Sequence, residues 1–233
     1  MLTRNSCEEG RENLDLLREY VYKSGVREYC TRCLNCERWG KNVILMIVDA
    51  SFTSLGLNYF NAVVPKVMEF REAFVYSKKI TSLEELANYD IEELRKVWKN
   101  ARSWHVAKGI AKYLAKVKDE RKLNDRQAFI YWGRNSSLEN WKLDPIGRIK
   151  GIGINTYQYL RMMAGVDTVM PDKIVRKVLE NILGKLPEDD IEFIKCIERI
   201  AKKANLRAID ICWMTWFVNS DVLKRYSHIL GEI

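Results

Sequence analysis

The chain has 233 residues, 47% of them hydrophobic and 30% charged, enough for one compact unit or two small lobes around a real core. The longest apolar run, residues 43–48, stops at Asp49, far short of the roughly 20 residues of a membrane span. The polar start, residues 1–13, is no secretory signal, so a cytoplasmic or chromosome-associated protein (nuclear in a eukaryote) without membrane contact is expected. The 39 Lys and Arg exceed the 31 Asp and Glu to leave a net charge of +8. That favours a polyanionic partner, because each phosphate neutralised releases a condensed counterion, although a lysine-rich surface also serves solubility alone.

In chain order, the first patterned element is Cys30-x2-Cys33-x2-Cys36. With a distant fourth thiolate such as Cys7, this spacing suits an iron–sulfur cluster. On a helix the same steps of three align small apolar residues on one buried face, and a metal site is not favoured. Further on, apolar residues recur at three- and four-residue steps: Leu83, Leu86, Ile91, Leu94 and Val97; then Val106, Ile110, Tyr113, Leu114 and Val117; then Ile174, Val175, Val178, Leu179 and Ile182. Thr81 and Ser82 offer a capping hydroxyl with an acid three residues on, and Asp90 repeats that logic before Glu92 and Glu93. Gly184 is placed as a helix C-cap, and Pro187 with the acids up to Asp190 as the start of another helix. Only four prolines occur, and no strand pair is joined by Asn-Gly or Asp-Gly. The pattern predicts an all-α protein of roughly ten helices.

Between two helical patterns stands Ile149-Lys150-Gly151-Ile152-Gly153-Ile154-Asn155-Thr156-Tyr157. Gly-x-Gly there predicts a hairpin whose glycines permit close backbone approach. The helix that follows presents free N–H groups and a positive dipole end, which can hold a phosphate without any side-chain charge. After that helix come Gly165 to Met170, Pro171, Asp172 and a helical pattern over residues 173–183.

Gly151, Gly153, Pro171, Asp172 and Arg176, in this order, resemble the helix-hairpin-helix DNA glycosylase superfamily (HhH-GPD). Residues 43–54 resemble its early buried helix, residues 82–115 its next helices, and residues 208–213 its closing helix, so the likeness covers most of residues 41–216. It implies two helical lobes with the hairpin at a DNA-binding cleft. Residues 41–164 would form the central lobe ending in the hairpin, and residues 1–40 plus 165–233 a second lobe carrying the catalytic acid.

The resemblance further implies a monomeric base-excision-repair enzyme acting on double-stranded DNA that contains a lesion. Asp172 would be its catalytic carboxylate, and Lys150, Gly151, Gly153, Asn155 and Thr156 its backbone contacts. Asp49, Ser51 and Phe52 would stand where the family sends a loop into the duplex, with Tyr157 a pocket aromatic. Trp104, Trp132, Trp213 and Trp216 are further aromatic candidates. The position of the lyase lysine is occupied by Asn155, which cannot form a Schiff base; a monofunctional enzyme is expected. The alternatives are a glycosylase/lyase using a displaced lysine, Lys150 or Lys173, and a DNA-binding protein without chemistry. No cofactor is required, although relatives hold a monovalent cation at the hairpin carbonyls. The four-cysteine cluster of the endonuclease III group is missing from the C-terminal region, which argues against an iron–sulfur cluster.

Overall fold

A computed structural model describes residues 11–219 and residue 230. Among the described residues every regular element is a helix, and none is long and apolar enough to cross a membrane. In chain order they are α1 (Arg11–Lys23), α2 (Arg27–Leu34), α3 (Arg38–Lys41), α4 (Val43–Thr53), α5 (Val64–Phe70), α6 (Leu83–Asn88), α7 (Ile91–Leu94), α8 (Ala101–Arg121), α9 (Asp125–Asn135), α10 (Ile154–Met163), α11 (Lys173–Leu183), α12 (Asp190–Ala204) and α13 (Ala208–Asn219). Two π-helices, Tyr59–Val63 and Arg71–Tyr76, flank α5. The count exceeds the expected ten in part because short turns such as α3, four residues long, carry no period.

α4 is the central rod. Every residue from Val43 to Phe52 is buried, as a helix apolar on all sides must be. Asn42 caps it by accepting from Leu45 N–H at 3.1 Å. On one side α4, α6 and α9 pack on α8; on the other, α1, α11, α12 and α13 pack on one another, while α10 touches α2, α4 and α9. The caps read from sequence at Ser82, Asp90 and Gly184 close as expected, whereas Pro187 lies ahead of α12, whose cap is Asp189. Ser82 Oγ accepts from Glu85 N–H, Asp90 from Glu92 and Glu93 N–H, and Asp189 from Ile191 and Glu192 N–H; Gly184 ends α11 at φ 85°.

One expectation is corrected. The segment before the hairpin is not a helix but a run of turns over residues 138–151. Asp144 holds these turns by accepting from Ile146 N–H at 2.8 Å and from the Trp132 indole at 3.2 Å. Pro145 lacks a donor, and at Gly147 a Cβ would fall 1.8 Å from the Trp141 carbonyl oxygen, so the chain folds too tightly there for a helix.

Cys30, Cys33 and Cys36 are fully buried in the core. The Cys30 thiol faces the Ile209 carbonyl and Cys36 faces the Met46 sulfur. Burial pushes the Cys33 thiol up to about 12 and Cys36 to about 11, which holds both as protonated thiols. Among the described residues no three metal-ligating side chains converge; Cys7 lies outside them.

Candidate active site

Asp172 is the N-cap of α11. Its Oδ1 accepts from Ile174 N–H at 2.8 Å and Val175 N–H at 2.9 Å, while Oδ2 takes no hydrogen bond from the described residues. Burial raises the carboxyl above its ordinary range, and the two N–H groups pull it back only in part. The loop presenting it is tied at several points. Gly165 turns at φ 98°, where a Cβ would come within 2.9 Å of the Leu34 carbonyl oxygen. Gln158 donates to Thr168 Oγ1 at 2.6 Å and to the Val169 carbonyl at 3.2 Å. Arg176 holds the far side, donating to the carbonyls of Pro171 and Pro187 and pairing with Asp190 at 2.7 Å.

Facing Asp172 is the hairpin. Gly151 has φ 110°, and a Cβ there would meet Val106 at 2.9 Å and Arg102 at 3.0 Å. Glycine thus lets the turn lie directly on α8. Gly153 is the N-cap of α10, in extended backbone and with no side-chain cap, and a Cβ on it would point into open space. The N–H groups of Ile154, Asn155 and Thr156 have no acceptor among the described residues. These unsatisfied donors and the positive end of the helix dipole suit an anion.

Gly151, Gly153, Asn155, Thr156 and Asp172 all line one cavity of about 730 Å³. Arg102 and Lys173 bring positive charge to its lining. Its apolar wall is Tyr59, Tyr159, Met170, Trp213 and Trp216. Behind that wall Arg38 and Asp49, both fully buried, form an ion pair at 3.2 Å.

Several expectations change here. Phe52 is fully buried, stacked on Trp98 at 4.4 Å and edge-on to Trp104 at 4.9 Å, so it is core and cannot enter a duplex. Ser51 is equally buried and donates to the Ile47 carbonyl. Asp49, Ser51 and Phe52 all belong to α4; the chain first reaches the cavity at Thr53, the last residue of α4, and the loop follows from Ser54, because the apolar helix runs one turn past Asp49. Tyr157 packs against Trp132 and Trp141 and lies outside the cavity lining, a place taken by Tyr159 two residues on. Trp104 and Trp132 are core, whereas Trp213 and Trp216 reach the cavity. Lys150 is exposed beside the hairpin but does not line the cavity. Tyr59 and Arg38 gave no signal, since nothing local in sequence links them to Asp172.

No protein-family model matches the chain, and no curated protein matches it. Among solved structures it is similar to a crystal structure of the 8-oxoguanine DNA glycosylase of Thermotoga maritima. The identity is 17% and the TM-score 0.48, over 88% of this chain and 96% of that one.

Proposed function

We propose that this chain is a monofunctional DNA N-glycosylase that removes a damaged or mispaired base from double-stranded DNA. The observation that carries the reading is the convergence of the Asp172 carboxylate and the uncapped N-terminus of α10 on one aromatic-walled cavity. A base inside a duplex is out of reach of a carboxylate and must be turned out into a pocket. The helix terminus would grip a backbone phosphate without reading sequence, with Lys150 adding charge and a monovalent cation at the hairpin carbonyls a further part of the proposal. The two groups of helices that meet at this cavity would act as the two lobes, 41–164 and 1–40 with 165–233, of a monomer closing on DNA.

Breaking the C1′–N bond builds positive charge on the sugar. A carboxylate beside C1′ stabilises that charge and takes one proton from the water whose oxygen joins C1′; the base leaves with the electron pair of the broken bond, and the proton taken up by the carboxylate passes through solvent to its glycosidic nitrogen. The raised affinity of Asp172 for a proton suits a general base. Leu57, 44% exposed at the cavity rim, takes over the stack-filling role expected of Phe52, since an apolar side chain can occupy the place of an extruded base.

A panel of duplexes, each with one lesion, tests the proposal: heat or alkali after incubation should reveal abasic sites on at least one member. Release from none, with the duplexes bound, would leave a DNA-binding protein without chemistry. A second reading has one observation in its favour: Lys173 lines the cavity next to Asp172, so a lyase using this displaced amine is chemically feasible. A borohydride-trapped adduct on abasic DNA that is lost with Lys173→Gln would establish it.

A further inference from the structure

The aromatic wall of the cavity is held from behind by a single guanidinium. Arg38 donates from Nη1 to the Tyr159 hydroxyl and from Nη2 to the Tyr59 hydroxyl at 2.5 Å and Asp49 Oδ2 at 3.2 Å. Both phenols in turn donate to Asp49 Oδ2, at 3.0 Å from Tyr59 and 2.8 Å from Tyr159, and the Trp39 indole adds a fourth contact at 2.8 Å. The same guanidinium lies 5.9 Å from the Tyr59 ring, 5.6 Å from Tyr159, 5.6 Å from Trp213 and 4.8 Å from Tyr29. Three of these four rings line the cavity.

Such a network is a poor device for stability alone. A fully buried ion pair recovers its desolvation cost only with full satisfaction, yet Arg38 Nε, the Tyr29 hydroxyl and the Trp213 indole N–H are buried without a partner among the described residues. What it does accomplish is to spend donors. Thr53 donates to the Asp49 carbonyl at 2.8 Å and Ser54 to the Ser51 carbonyl at 2.6 Å. Four hydroxyls on the cavity lining, those of Thr53, Ser54, Tyr59 and Tyr159, are therefore committed to α4. The two tyrosines offer the cavity ring carbon, not oxygen.

We infer that Arg38, clamped by Asp49, is a positioning residue that holds Tyr59, Tyr159 and Trp213 as a stacking wall, so that the cavity takes a flat heteroaromatic base by ring contact rather than by hydrogen-bond donors on that wall. This rests on reading the cavity as a base pocket. Ring stacking on aromatic side chains tolerates every base, so selection on this side follows shape and stacking strength.

The test uses the full chain and 2-aminopurine as free base, followed by its fluorescence, beside single-turnover base release and duplex affinity. Wild type should bind the base. Arg38→Met with Asp49→Leu removes both charges together, a replacement that buried pairs commonly tolerate. It should weaken 2-aminopurine binding at least about tenfold and slow base release comparably, with duplex affinity unchanged within about twofold. The paired variant Tyr59→Phe with Tyr159→Phe keeps rings and ion pair but loses the hydroxyl anchors; it should weaken the free base several-fold and decides the question should the charge-removed variant not fold. Folded variants that bind 2-aminopurine as wild type does would overturn the inference, as would a wild type that releases lesions yet does not bind the free base. Binding of the free base without release from any lesion would keep the wall and sink the glycosylase reading.

Discussion

At the scale of single residues, Asp172 caps α11 and is proposed to carry the chemistry, two roles that one substitution separates. Asn at this position keeps the size and an oxygen to accept from Ile174 and Val175 N–H, but removes the charge that would face the oxocarbenium ion. A lost electrostatic contribution of about 3 kcal/mol corresponds to a fall of at least about a hundredfold in base release. Affinity for duplex should hold or rise slightly, measured by titration of the same DNA. Burial raises the Asp172 carboxyl, and on the proposed mechanism the carboxylate would be the working form. Activity should therefore fall, as pH drops, at a pH above the ordinary carboxylate range. The sign for stability is opposite. A carboxyl raised by folding favours the native state below its unfolded pKa, and that contribution is lost as pH rises through the folded value. An acid limb of single-turnover release lying at or below pH 3.8, the unshifted value for Asp, would contradict the role assigned to burial.

At the scale of elements, α10 is the informative helix. α4, α6, α7, α8, α9, α11 and α12 each begin with a side chain that accepts a backbone N–H, and α10 begins with bare Gly153 in the extended region. Gly153→Asp should supply the missing cap and stabilise the fold slightly, by about 0.3 kcal/mol, since glycine is itself a fair N-cap. It would also place a carboxylate where the phosphate is proposed to sit. Thermal melting should rise while affinity falls for all duplexes alike, lesion or none; unchanged affinity would remove the hairpin from the interface. Where α9 meets the end of α10, a Cβ on Gly133 would lie 2.5 Å from the Ala164 Cβ. That atom belongs to a rigid side chain, so overpacking of about 1–3 kcal/mol outweighs the gain of about 1 kcal/mol in helix propensity. Gly133→Ala should lower the melting temperature by a few degrees and leave the cavity chemistry intact.

At the scale of the whole molecule, the 39 basic side chains behind the net charge of +8 are not all free to meet a partner. Lys118 pairs with Glu84 and Asp125, Arg95 with Glu92, and Lys96 with Glu93, while Arg126 is spent on the carbonyls of Asn35 and Cys36. Much of the basic stretch from Arg95 to Arg126 is thus an internally paired face. The charge near the cavity comes from Arg102 and Lys173 in its lining and Lys150 beside the hairpin. With about four phosphates neutralised, duplex affinity should fall on the order of a hundredfold between 50 and 200 mM salt. A flat salt response would exclude DNA as the partner.

The helices were legible from the chain because their signals are local. Three- and four-residue spacing marked α8 and α11, and Ser82, Asp90 and Asp172 stand where a cap must stand. Gly151 and Gly153 announced a turn, and at Gly151 its tightness requires glycine. The pocket aromatics were not legible in this way. Phe52 and Tyr157 look as suitable as Tyr59 and Tyr159, and a shift of a few residues along a helix decides which side chain faces the core and which the cavity. The wall depends on where α2, α4, α10 and α13 come together around Arg38, and that is a matter of packing between distant segments. The sequence by itself determined the helices, their caps and the presence of a bare helix N-terminus near an acid; only the tertiary structure decided which aromatics meet Asp172, because that follows from how the helices are rotated against one another.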